Sequence, residues 1–162
     1  MAVGVSAGLK PGDQSLGWSR RWEAAQDQLA RLQAPRTEDL SGEAVKDARD
    51  ELLDFYVRTY HVKDALQVEA ASLGLDRGAV ENAVSADPTL VLLGDLANLV
   101  KHHGKGRKQD PPEIVEACGT SGPNGWRLDL TIRHKGDDLD GMAIAEDAVA
   151  AWERLPAGWG LV

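Results

Sequence analysis

The sequence predicts a mainly α chain: a helical bundle followed by a C-terminal β-hairpin and a closing helix, with α+β character confined to that last part. Three observations lead there. Apolar residues recur at steps of three and four as far as Val100, the spacing that lines one face of a helix. The segment Trp126 to Arg133 instead alternates, with Trp126, Leu128, Leu130 and Ile132 between Arg127, Asp129, Thr131 and Arg133, as in a strand with one buried face. Between these regions, after Gly104, glycine, proline, lysine and serine become frequent and helical periodicity is lost until Asp140.

The first helix is expected from about Gly17 to Gln33, where Trp18, Trp22, Ala25, Leu29 and Leu32 form one stripe and Pro35 ends it. Ser41 is placed to cap a second helix, and no glycine or proline interrupts Glu43 to Leu73, so one long helix is expected there. Gly74 supplies a left-handed stop and Asp76 a new cap, which predicts a short third helix over Arg77 to Ser85. Asp87 followed by Pro88 reads as an N-cap and first helical residue, opening a fourth helix to about His103.

Glu113 to Cys118 and Trp126 to Arg133 read as two strands joined by a loop over Gly119 to Gly125. A second turn follows at Lys135 to Asp138, and a short third strand fits after it. Met142, Ala145, Val149 and Trp152 mark the inner side of the last helix, which Pro156 is expected to stop. The resulting organisation is a flexible N-terminal tail over residues 1–14 and a single domain over 15–156. That domain holds the hairpin at about 113–139 and the last helix at about 141–155, and 157–162 form a tail.

Composition narrows the function classes. A chain of 162 residues with 43% hydrophobic and 27% charged side chains has globular composition. With 26 acidic against 18 basic side chains the net charge is -8, so the surface as a whole repels phosphate polymers, and any such ligand must meet a local patch. Cys118 is the only cysteine, which excludes an internal disulfide and fits a reducing, cytoplasmic setting. Met1 to Gly12 lacks the charge order and apolar run of a signal peptide, and no stretch of about 18 apolar residues predicts a membrane span. A soluble protein is expected.

Candidate chemistry comes from polar residues set within apolar helices. Arg58, His61 and Asp64 follow at intervals of three and share one side of the second helix; Asp95, Asn98 and His102 share one side of the fourth. Facing each other, these sides would bring two imidazoles, two carboxylates, an amide and a guanidinium into one cluster. Such a cluster could serve as a register-fixing hydrogen-bond network, a ligand pocket or a proton-transfer site. No pair of histidines stands at diagnostic metal-ligand spacing, so neither a metal nor a cofactor is expected.

The run Phe55-Tyr56-Val57-Arg58-Thr59-Tyr60-His61-Val62-Lys63-Asp64-Ala65-Leu66, with Asp95-Leu96-Ala97-Asn98-Leu99-Val100-Lys101-His102, resembles HEPN-like helical proteins of bacteria and phages. The late strand, its turn and the helix ending in Ala151-Trp152 are similar to the C-terminal part of one such group, so the resemblance covers roughly Glu43 to Leu155. It implies a helical bundle that often forms homodimers, in a defence or toxin-antitoxin context, with an RNA or protein partner. In the active members it implies metal-independent RNA cleavage, where a histidine moves protons and an arginine stabilises the phosphate. Carried onto this chain, the catalytic candidates are Arg58, His61 and His102. The active members place four to six residues between arginine and histidine; here two separate Arg58 from His61.

Asp64, Asp95 and Asn98 are the remaining binding candidates of the expected cluster. Lys101, Lys105 and Arg107 join them from the one dense cationic stretch, Lys101 to Lys108, whose glycines would let backbone amides approach a phosphate. The same cations at a helix C-terminus also complement its dipole. Trp18, Trp22, Trp126 and Trp152 stand at inward-pattern positions, Trp159 is expected to fold back on the bundle, and Cys118 reads as a buried thiol. Three functions stay open on these residues: a binding or structural module, a metal-independent ribonuclease, and an adaptor that binds a protein partner.

Overall fold

The computed structural model describes residues 17–102 and 110–161. The expected tail over 1–14, together with Lys105 and Arg107, lies outside the described residues. Six helices and a three-stranded antiparallel sheet follow in the order α1 (Trp18–Gln33), α2 (Gly42–Tyr60), α3 (Val62–Glu69), α4 (Arg77–Ala86), α5 (Pro88–His102), β1 (Glu113–Gly122), β2 (Gly125–His134), β3 (Asp137–Asp140) and α6 (Gly141–Gly158). The mainly α reading with a minor β part holds. Helix α2 is the hub, packed against α1, α5, α6 and the sheet, while α3 and α4 close one end. No single helix among the described residues is long and apolar enough to cross a membrane.

The caps expected from the sequence are in place. Ser41 accepts from Ala44 N–H, Asp76 from Gly78 N–H, and Asp87 from the amides of Thr89 and Leu90. Asp140 takes the first amides of α6, those of Met142 and Ala143, at 2.7 and 3.1 Å. Helix α1 is capped differently, because Gly17 has no side chain to offer: the carboxylate of Glu69, at the end of α3, accepts from Trp18 N–H at 3.1 Å.

The single long helix expected over 43–73 is two helices. His61 has ψ of -2°, which breaks the helical run between α2 and α3, and its ring bonds forward to Asp64 in the first turn of α3. The break lets α3 pack on α1 and α4 as well as on α2. Pro156 does not stop the last helix either. It is buried in the final turn of α6, and its carbonyl accepts from both Trp159 and Leu161 N–H, so Trp159 packs back on the core as expected, with Leu161 beside it.

The core expected from the stripes forms: Trp18, Trp22, Leu52, Phe55, Leu66, Leu93, Leu96, Ile132, Ala145 and Trp152 are all buried. Inside it, the Tyr56 hydroxyl donates to the Gly141 carbonyl at 2.6 Å, tying α2 to the start of α6. Burial, helped by the nearby Asp140 carboxylate, pushes the Tyr56 phenol far above its ordinary pKa. Gly141 admits this approach, since a Cβ there would stand 3.0 Å from both Leu130 and the Tyr56 oxygen.

The sheet departs from expectation in two places. The strands run on to Gly122 and Gly125, so a two-residue turn, Pro123-Asn124, replaces the longer loop. In β1 the register slips between Ile114 and Glu116, leaving Val115 as a bulge. Without that extra residue Ile114 and Cys118 would share the inner face. With it, Ala117 and Gly119 turn inward and Cys118 is exposed, which corrects the buried thiol.

The connection after α1 forms a seam with the sheet. Arg36 N–H donates to the Trp126 carbonyl at 2.7 Å and its carbonyl accepts from Trp126 N–H at 2.9 Å, while the indole N–H donates to the Glu38 carbonyl. The Arg36 guanidinium lies over the Trp126 ring and reaches Glu38 through Nε and Glu51 through both Nη atoms. Bonding to Glu51 outweighs partial burial, and with the help of Glu38 holds the Arg36 pKa above its ordinary value.

Candidate functional site

Arg58 and His61 do come together, on the side of α2 that faces α1. They line an open groove of about 510 Å³ whose far wall is the stripe Arg21, Ala24, Ala25, Gln28 and Arg31 of α1. These positions follow the helical repeat, so one face of α1 presents an arginine at each end of the groove with alanines between. The alanines and Val57 leave space above the floor where longer side chains would fill it. Asp27 also lines the groove, so its rim alternates in charge.

Each of the two expected residues is oriented by a carboxylate. Arg58 Nε meets Asp54 at 2.7 Å, one helical turn back, and His61 Nδ1 meets Asp64 Oδ2 at 2.5 Å. Both pairs are solvent-exposed, so they contribute about 1 kcal/mol or less to stability and act mainly on orientation. A neutral His61 that donates its Nδ1 proton to Asp64 keeps Nε2 as an acceptor. Arg58 retains its Nη donors beyond the single Nε pair. Arg21 and Arg31 carry no ion-pair partner among the described residues.

Asp95 and Asn98 do not join this group. They line a separate cleft of about 210 Å³ with Tyr60, Glu81, Ser85 and Gly94. The reason lies in how α5 meets α2. Gly94 has no side chain, and a Cβ there would stand 2.8 Å from the Tyr60 ring, so the two helices close on each other through that ring. Tyr60 belongs to a different side of α2 from Arg58 and His61, so of the expected six-residue cluster Arg58 and His61 line one cleft and Asp95 and Asn98 another. Among the described residues Thr59, and no carboxylate or imidazole, is the polar side chain buried in the core.

The second cleft adjoins a cation that the sequence did not flag. Lys63 Nζ lies 4.8 Å from the centre of the Tyr60 ring, 3.1 Å from its hydroxyl and 3.2 Å from Glu81. Partial burial works against the charge, but the Tyr60 hydroxyl and the Glu81 carboxylate outweigh it and raise the Lys63 pKa. Lys63 is thus occupied within the fold. Lys101 is exposed near the end of α5 and lines neither cleft. His102 is the last residue of α5, and its imidazole lies outside the described residues.

Two other arrangements invite chemistry and do not supply it. Arg127 and His134 carry the six-residue interval of an arginine followed by a histidine, but both lie on β2 at an odd separation, which points them to opposite faces of the sheet. A recess of about 810 Å³ between α2, α5 and the start of β1 is walled by Leu53, Leu99, Val100 and Ile114, and of the charged residues that line it, Arg49, Asp50 and Glu113, the first two are paired with each other. Among the described residues no group of three or more His, Cys, Asp or Glu side chains could hold a metal ion.

The groove walls explain what sequence reading missed. Arg21 and Arg31 stand on a helix read only for its apolar stripe, and nothing local shows that their side of α1 is turned toward Arg58. Only the packing of α1 along α2 reveals it. No family model matches the chain, and neither a curated protein nor a solved structure matches it.

Proposed function

We propose that the chain is a HEPN-like helical binding module whose α1–α2 groove takes a phosphate-bearing ligand. One observation carries this reading: in a chain of net charge -8, Arg21, Arg31, Arg58 and His61 converge on one open groove, and the two α1 arginines have no ion-pair partner among the described residues. Guanidinium groups bind phosphate through paired N–H donors, and a cation without an internal carboxylate loses no existing bond when it does so. The resemblance of residues 55–66 and 95–102 to HEPN-like proteins supports the same assignment, with a cytoplasmic homodimer and an RNA or protein partner as its corollaries.

Titration of the full chain with inorganic pyrophosphate, followed by amide NMR shifts, tests the groove. The shifts are expected along α1 and at residues 57–61, and Arg58→Ala is expected to weaken binding about ten-fold, the value of a good charge-assisted contact. Shifts confined to other parts of the molecule would remove the assignment.

The Asp64–His61 pair favours a second reading, metal-independent RNA cleavage. His61 Nε2 would take the proton of a ribose 2′-hydroxyl as that oxygen attacks the adjacent phosphorus, and Arg58 would stabilise the developing charge while the 5′-oxygen leaves. RNA cleavage in the presence of a chelator, lost in a His61→Ala variant of unchanged melting temperature, is the expected result. Equal cleavage by that variant takes His61 out of the mechanism.

A further inference from the structure

Building on the groove as an anion site, we propose that its ligand is a linear chain of several phosphates that bridges Arg21 and Arg31, rather than an isolated phosphate. The two arginines are ten residues apart on one face of α1, which places their backbones about 15 Å apart along the axis at roughly 1.5 Å per residue. A single phosphate at either end leaves the other arginine unused. Arg58 adds guanidinium donors on the α2 wall, beside the imidazole of His61. Asp27 shares the α1 rim with the two arginines, so positive charge is strung along the groove and not gathered at one point.

That distribution suits a ligand whose own charges are strung out. The low floor at Ala24 and Ala25 gives the connecting atoms of such a chain a place to lie. The chemistry is shared by a single-stranded polynucleotide and by inorganic polyphosphate. Both present regularly spaced anions on a slender backbone, and both would release counterions on binding.

Calorimetric titration of the full chain with pyrophosphate, with inorganic polyphosphates of increasing length and with single-stranded oligouridylates of increasing length tests the proposal. Affinity is expected to rise steeply until a chain spans the groove and then level off. Arg21→Ala and Arg31→Ala are each expected to cost the long chains about ten-fold while changing pyrophosphate affinity by no more than about two-fold. Each substitution should also lower the slope of log K against log salt by about 0.7 for single strands. Arg77→Ala, on the exposed surface of α4, controls for loss of general charge.

Pyrophosphate bound as tightly as the longest chains would overturn the bridging proposal and leave the anion groove standing. Failure of every probe would remove both. Tighter binding of oligouridylate than of polyphosphate of equal charge identifies the ligand as a nucleic-acid strand, and equal affinity identifies recognition of the phosphate chain alone.

Discussion

Arg31 and Arg36 stand five residues apart at the end of α1, and the two regions they serve use the same side chain in opposite ways. At the seam, Arg36 is 19% exposed, bound by two carboxylates and stacked on Trp126, with every part of its guanidinium engaged. In the groove, Arg31 is exposed and has no ion-pair partner among the described residues. Residue type therefore says little about role. The number of internal acceptors around a cation separates one that holds the fold together from one available to a ligand.

The sharpest way to break this comparison is at the backbone of the seam. Gly125 has φ of 130°, and a Cβ there would stand 2.2 Å from the Arg36 carbonyl oxygen. Gly125→Ala should therefore cost on the order of 3 kcal/mol, since neither backbone can give way without opening the hairpin or the connection after α1. Chemical denaturation would show it, and an unchanged midpoint would mean that the seam carries little of the stability.

A smaller effect sharpens the contrast between the arginines. Arg36→Ala should destabilise by about 1.5 kcal/mol through loss of the ring contact and the paired carboxylate bonds, discounted for partial exposure. Arg31→Ala should change stability by no more than about 0.5 kcal/mol, as expected for a surface side chain without partners. Melting curves of the two variants side by side test the distinction, and equal losses would erase it.

Much of the helical architecture was legible because its signals are local. Ser41, Asp76 and Asp87 each cap the helix that follows within a few residues, and the stripe from Trp18 to Leu29 declares its buried face directly. The misses have long-range or combinatorial causes. Glu69 caps α1 across 51 positions of sequence, and Arg36 pairs with a strand it precedes by 90. A one-residue bulge in β1 inverts the faces of everything after it, Cys118 included. For the site, helical spacing correctly grouped Arg58 with His61. Which neighbour that side of α2 would meet depended on Gly94 admitting Tyr60, a steric fact visible only in three dimensions.

The bulge at Val115 has a consequence beyond the placement of one thiol. β1 is one of the two outer strands of the sheet, and a straight outer strand offers its unused amides and carbonyls to any extended chain that drifts past. The kink interrupts that row near its start, and the exposed carboxylates of Glu113 and Glu116 flank it with like charge. An extended chain laid along β1 would therefore meet a broken hydrogen-bonding row and two carboxylates at that end of the strand.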